Sequence, residues 1–245
     1  MTQSRFTNLA SGNTINEWIN KSVTECQAVY PLIQQRLPVA VDIGANIGGF
    51  CVHAHQHFDR IYAFEPLAQN YRVLQHIVNQ LGLRNVDAYQ TAIYGKSNLE
   101  LSLRAHNDGH SMDVSCAAIN NQEWGFSPIE EKCETISLSD MMQSLNLPHI
   151  HYLKMDCEGS EYEILENFTE FDRISLIAME LHNFFGRERK DRLLQRLEEH
   201  FNVMPLRRDT ALTMPADVMK HIVPVADLLD GDCNFFCVNK QGIKE

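Results

Sequence analysis

The chain has no apolar run near the roughly 18 residues that a membrane span needs. Its start, Met1-Thr-Gln-Ser-Arg-Phe-Thr-Asn8, lacks the apolar stretch of a signal peptide. Together these absences predict a protein of the cytoplasm with no membrane contact. No CxxC pair occurs among the seven cysteines, at 26, 51, 116, 133, 157, 233 and 237. Their odd number and scatter predict reduced thiols and argue against a structural zinc knuckle. Basic residues are scarce, with 21 Lys and Arg against 32 Asp and Glu and a net charge of −11. Grasping a phosphate backbone needs clustered cations, so nucleic acid is excluded as a partner. Internal repeats and low-complexity segments are absent as well.

What is present is a globular composition. Over 245 residues, 44% are hydrophobic and 22% charged, enough for one sizeable domain. Residues 13–36 have apolar positions at helical spacing (Ile15, Trp18, Ile19, Val23, Cys26, Tyr30, Ile33), with Pro31 expected to kink or split the helix. This lead-in could cap a site or pack against a second subunit, as in a homodimer. Val39–Ile43 is an apolar run of strand length, followed by a glycine-bearing turn, 44–49, and a helix to about His57. Arg60–Phe64 is a second strand, and Glu65-Pro66 opens a helix with Leu67, Tyr71, Leu74, Ile77, Val78 and Leu81 on one face. Asn85–Ile93 reads as a third strand. Such alternation predicts a parallel sheet with right-handed crossovers and helices on both faces.

The alternation breaks at 94–138, where Asn98–Leu103 and Cys133–Leu138 look like strands around a polar loop, 104–132. A loop of that length inside a domain points to a substrate-side insertion. Beyond it come a helix at Asp140–Leu145, a strand at Ile150–Met155, a helix at Ser160–Asn167 and a strand at Ser175–Leu181. A helix at Glu188–Phe201, a strand at Val203–Leu206, an irregular stretch at 207–232 expected over one end of the sheet, and a last strand at Asn234–Val238 complete the chain.

Val41-Asp-Ile-Gly-Ala-Asn-Ile-Gly-Gly49 is the sharpest motif. A strand ends at an acid, turns at Gly44 and enters a helix near Gly48, whose first N–H groups are unsatisfied. A dinucleotide site wants a second glycine where Asn46 stands, and Asp42 would repel a pyrophosphate. An NAD-dependent oxidoreductase is therefore the weaker reading. Asp42 suits the positive end of S-adenosylmethionine (SAM). Glu65 ends the next strand and can accept hydrogen bonds from both ribose hydroxyls.

Leu153-Lys-Met-Asp-Cys-Glu-Gly-Ser-Glu161 is the second constellation. A capped helix explains Ser160 and Glu161. It leaves Lys154 unexplained in a strand otherwise fit for burial, and Asp156 and Glu158 at that strand's end. Glu180 and His182 end the next strand. Ligands in open α/β sheets bind at this edge, so Asp156, Glu158, Glu180 and His182 would face one pocket. His182 has an ordinary pKa near ~6.5, suited to a general base, with Asp156 second. Asp156, Glu158 and Glu180 could hold Mg²⁺, but Lys154 and His182 could neutralise the same acids without an ion. His53, His55 and His57 share no completing acid or cysteine and read as surface residues.

These motifs resemble the FkbM family of SAM-dependent methyltransferases. The matching residues are Val41–Gly48, Ala63-Phe-Glu-Pro66, Asn79, Leu153–Gly159 with Glu161, and Glu180-Leu-His182, in family order. A looser match, Asn107-Asp-Gly-His-Ser111, is similar to the family's glycine-serine turn. The resemblance implies a Rossmann-like class I methyltransferase fold with a seven-stranded, mostly parallel sheet, an antiparallel last strand and an inserted loop or hairpin at about 94–138. Residues 39–245 would form the methyltransferase domain, with 1–38 as its N-terminal helical extension. SAM would be held by Asp42, Gly44, Asn46, Gly48, Glu65, Ala92 and Asp156, and turned over to S-adenosylhomocysteine. Catalysis would fall to His182, Asp156, Glu158 and Lys154. The acceptor would be a small molecule, most often a hydroxyl of a sugar or secondary metabolite, with a peptide amide nitrogen as the alternative.

Overall fold

The computed structural model describes residues 12–32, 34–106, 114–115, 126–206 and 234–244. Helix α1 (Gly12–Val29) leads into strand β1 (Leu37–Ile43), helix α2 (Gly49–Ala54) and strand β2 (Phe58–Phe64). Helix α3 (Ala68–Gln80) follows, then β3 (Val86–Tyr89), β4 (Ala92–Tyr94), β5 (Glu100–His106), β6 (Val114–Ser115) and β7 (Phe126–Ser137). The remainder is α4 (Leu138–Ser144), β8 (Ile150–Met155), α5 (Ser160–Asn167), β9 (Ile174–Glu180), α6 (Arg187–Glu198), β10 (Phe201–Pro205) and β11 (Asn234–Asn239).

Seven strands form one sheet in the order β10-β11-β9-β8-β1-β2-β3. All pairs are parallel except those of β11, which runs antiparallel to both neighbours. The seven-stranded α/β sheet with its reversed last strand is as the family resemblance implies. Side chains alternate across it. In β8, Leu153 and Met155 face the helices α4, α5 and α6, while Tyr152 faces α2 and α3. The second core is rich in rings, with Tyr152 lying between Phe50, Phe58 and Phe236. No helix among the described residues is long and apolar enough to cross a membrane.

Several boundaries differ from the sequence reading, each for a local reason. Helix α1 stops at Val29 and does not continue past Pro31, because a residue before proline is pushed out of the helical region. The Pro31 carbonyl instead accepts the Tyr152 hydroxyl at 2.7 Å. Pro66 lies outside α3, since the Glu65 carboxylate takes the Leu67 N–H and holds 65–67 as a turn. The expected strand 85–93 is two strands: β3 ends at Tyr89, and β4 leaves the main sheet to pair with β7. Strand β1 begins at Leu37, so a division at 38 would cut through it.

In the inserted region β5 and β7 form an antiparallel hairpin, with a register irregularity between Ser102 and Arg104. Its strands reach His106 and start at Phe126, further into the expected loop than the polar composition suggested. Helix α6 ends at Glu198 and β10 spans Phe201–Pro205, earlier than read. The stretch 207–232 and the Asn107–Ser111 motif lie outside the described residues.

Phe236 is fully buried in the ring cluster. Phe236→Ala is expected to cost about 3–5 kcal/mol of unfolding free energy, read by urea denaturation.

Candidate active site

Register builds the centre of the site. In the parallel pair β1–β8, Asp42 lies beside Lys154 and both point to the same face. Lys154 Nζ is 3.1 Å from Asp42 Oδ1 and 3.9 Å from Asp156 Oδ2. It also donates to the Gly44 carbonyl at 2.7 Å. Burial works against the ammonium, but the carboxylates of Asp42 and Asp156 outweigh it and hold its pKa above the ordinary lysine value. The Cys51 thiol donates to the other Asp42 oxygen at 3.6 Å. Asp42 is thus fully buried with its charge already met. The sequence reading places Asp42 toward the positive end of a cofactor; in the structure it meets Lys154 and does not line the cavity.

The turn after β1 is fixed by backbone contact. Gly44 has φ +76°, and a Cβ there would fall 1.8 Å from the Asp156 carbonyl oxygen, so no side chain fits. The Asp156 N–H in turn donates to the Ile43 carbonyl. Asn46 also takes a left-handed conformation, φ 51°, which asparagine tolerates better than most residues. Its N–H donates to Glu65 Oε2 at 2.9 Å, and the Leu67 N–H donates to Oε1 at 3.0 Å. Burial pushes the Glu65 carboxyl up to about 7, against the pull of these two donors.

At the ends of β8 and β9, the chain turns through Glu158 (φ 52°) and Gly159 (φ 95°) into α5. Glu161, in the first turn of α5, accepts the Cys157 N–H at 2.8 Å. His182 sits among three carboxylates. Its Nε2 is 3.4 Å from Glu158 and 3.8 Å from Glu180, and its Nδ1 is 3.4 Å from Glu161. Burial disfavours the imidazolium, but Glu161, Glu158 and Asp156 outweigh it and hold its pKa well above the ordinary value. Burial pushes Glu180 up to about 7, with Asp156 adding to the rise and His182 opposing it.

One cavity of about 380 Å³ joins the turn to the strand ends. Of the residues predicted for the site, Gly44, Asn46, Glu65, Lys154, Asp156, Glu158, Glu180 and His182 line it. Asp42, Gly48 and Ala92 do not. Gly48 caps α2 with Leu74 beneath it, and Ala92 is buried with Leu103 and Cys133 under the hairpin. The wall the motifs did not reveal is α1 and its exit: Ser22, Glu25, Cys26, Val29 and Tyr30. The Tyr30 hydroxyl donates to Asp156 Oδ2 at 2.8 Å. Only the amphipathic spacing of α1 hinted at this, since it marked a buried stripe without saying what the stripe covers.

Among the described residues, the group with metal-ligand spacing is Asp156, Glu158 and His182, so His182 takes the place expected for Glu180. His53, His55 and His57 are half-buried, not surface residues as expected, and burial brings His53 down to about 4.

The model of the methyltransferase FkbM domain matches residues 42–205. The chain belongs to the FkbM methyltransferase family. No curated protein is similar to it. Among solved structures, the FkbM methyltransferase of Methylobacillus flagellatus KT is 15% identical, with a TM-score of 0.45 over 82% of this chain and 43% of that one. The chain therefore spans a little less than half the length of that relative. TrmK of M. capricolum, solved with S-adenosylhomocysteine, is 12% identical, with a TM-score of 0.43 over 93% of this chain and 70% of that one.

Two outcomes follow from the buried charges of this FkbM chain. Lys154→Met strands two carboxylates and is expected to cost about 3–5 kcal/mol in urea unfolding, with Lys154→Met/Asp42→Leu recovering part of it. Glu65 holds its proton more tightly folded, at about 7, than its ordinary value of 4.5. Stability should therefore fall as pH rises from about 4.5 to 7, by about 3 kcal/mol in full. Glu65→Gln removes that part of the slope, read by unfolding at pH 5 and pH 8.

Proposed function

We propose that this chain is a SAM-dependent methyltransferase acting on a hydroxyl of a small acceptor, of the sugar or secondary-metabolite kind. The observation that carries the reading is the joined cavity, with the Gly44–Asn46 turn and Glu65 at one end and Asp156, Glu158, Glu180 and His182 at the other. Five carboxylates line it (Glu25, Glu65, Asp156, Glu158, Glu180) against two cations, Lys154 and His182. That surplus suits a sulfonium cofactor, and it disfavours a phosphate-bearing dinucleotide or nucleic acid. The FkbM family model supports the same reading.

SAM would supply the methyl group as a sulfonium carbon open to in-line attack. Glu65 would take the ribose hydroxyls in exchange for its present backbone donors. Asp156 and the turn carbonyls would hold the methionine end. Lys154 and Asp42 are positioning residues, because they fix the Gly44 turn against the end of β8. Both His182 nitrogens face carboxylates, which leaves it a poor proton acceptor as it stands. Asp156 accepts from Tyr30. Glu180, one-third exposed at the cavity wall, is the base these contacts leave open, and its raised pKa suits the task. Orientation of the acceptor supplies the remainder of the barrier reduction. Methylation of a peptide amide nitrogen is the second reading, since an amide needs as much help losing its proton as an alcohol.

Calorimetry with SAM and S-adenosylhomocysteine tests the cofactor. Micromolar binding that is lost in Glu65→Ala is expected, with no heat from NAD. Absence of SAM binding to the wild type would sink the reading. Once an acceptor is found by screening, Glu180→Gln should lower kcat by about 10²–10⁴ while leaving SAM affinity within a few-fold.

A further inference from the structure

We propose that Asp156, Glu158 and His182 bind one divalent transition-metal ion of the zinc class at the carboxyl ends of β8 and β9. One ligand atom from each lies within 4.8 Å of the others, a set that metal–ligand bonds of about 2.0–2.2 Å span after a small side-chain rotation.

An independent observation stands behind the imidazole. Glu161 is fully buried, its Oε2 has no hydrogen-bond partner among the described residues, and its Oε1 faces His182 Nδ1 at 3.4 Å. Metal-bound histidines characteristically direct the second ring nitrogen at a buried carboxylate, which fixes the ring and its tautomer. The other nitrogen, Nε2, points to the cavity side, at Glu158 and Glu180. Tyr162 anchors the His182 carbonyl at 2.8 Å, and the Ile43 carbonyl holds the Asp156 amide. Asp156 and His182 are thus anchored just past the ends of β8 and β9, and Glu158 sits in the turn that leads into α5.

The nitrogen donor decides the class of ion. Mg²⁺ and Ca²⁺ favour all-oxygen shells, whereas one imidazole and two carboxylates suit zinc and its neighbours. Three protein ligands leave a position open to the cavity, as in sites that bind water or substrate. Lys154 reaches Asp156 at 3.9 Å on Oδ2, but Asp42 and the Gly44 carbonyl hold it more closely on the inner side, and no ion pair links it to Glu158 among the described residues. The acceptor hydroxyl would occupy the open position, a role that rests on the methyltransferase reading; metal binding itself does not.

The test uses the full chain, stripped of metal with a chelator that is then removed, and titrated with Co²⁺ as a visible-absorbing substitute for Zn²⁺. One equivalent should saturate a d–d band typical of four or five ligands, and Zn²⁺ should bleach it. Proton NMR of the Co²⁺ form should show one strongly shifted imidazole N–H, a readout that needs no variant. His182→Gln and Glu158→Gln should each weaken binding at least about tenfold, while Glu100→Gln on the hairpin leaves it unchanged. Absence of one-equivalent saturation, a sulfur-to-cobalt charge-transfer band marking cysteine ligands, or wild-type affinity in both site variants would each overturn the proposal. SAM enters none of these measurements, and SAM calorimetry run in chelator stands or falls separately.

Discussion

The buried ammonium of Lys154 is the constraint on which the cavity's geometry depends. It ties three things that the chain brings from different places: the Asp42 carboxylate on β1, the Gly44 carbonyl in the turn, and the acid end of its own strand at Asp156. Burying such a pair is costly, and an apolar pair of similar volume could well be more stable. What the charges provide is register. Slipping β8 by one residue against β1 would turn Lys154 into the apolar face now filled by Leu153 and Met155. The ionic contact and the alternation of the strand thus specify the same alignment.

Charge is arranged in two layers around that point. The inner layer is matched: Asp42 meets Lys154 and Cys51 out of reach of solvent. The outer layer is not. Asp156, Glu158 and Glu180 crowd one imidazole at the mouth of the cavity, with Glu161 behind it. The balanced layer keeps the turn in place, and the unbalanced one gives the cavity its attraction for positive groups. A β-sheet is well suited to hold both, since side chains two residues apart on one strand share a face at different depths.

Much of this was legible in the sequence, for identifiable reasons. Apolar runs ending in acids marked β1, β8 and β9 because buried parallel strands exclude polar residues until they reach the sheet edge. Gly44 and Glu65 were legible because a tight turn and a strand-end carboxylate leave local signatures. What stayed hidden depends on which strands become neighbours. The depth of Asp42 follows from its register with a lysine 112 residues later in the chain, which no local pattern records. The break between Tyr89 and Ala92 was invisible because both halves are apolar, and only the hairpin's position decides that the second half leaves the sheet. Pro66 misled because a side-chain contact from Glu65 outranked proline's preference for a first helical turn. His182 looked like a free base because its three acidic neighbours lie at positions 158, 161 and 180, on two other elements as well as its own.

Helix α1 stands outside the sheet, yet with its exit it forms one wall of the cavity through Ser22, Glu25, Cys26, Val29 and Tyr30. It is attached by a separate apolar cluster, in which Trp18, Ile19 and Val23 meet Ile47, Val73 and Ile77. Cys26, Val29 and Tyr30 line the cavity and also pack against the ring-rich core, so the inner part of this wall serves both attachment and lining. Glu25, more than half exposed, is the position of this wall that can change at little cost to packing, whereas Tyr30 is tied to Phe50 and Asp156. Variation in this wall is thus confined to its outer positions, and its inner ones are held by the same packing that holds the sheet.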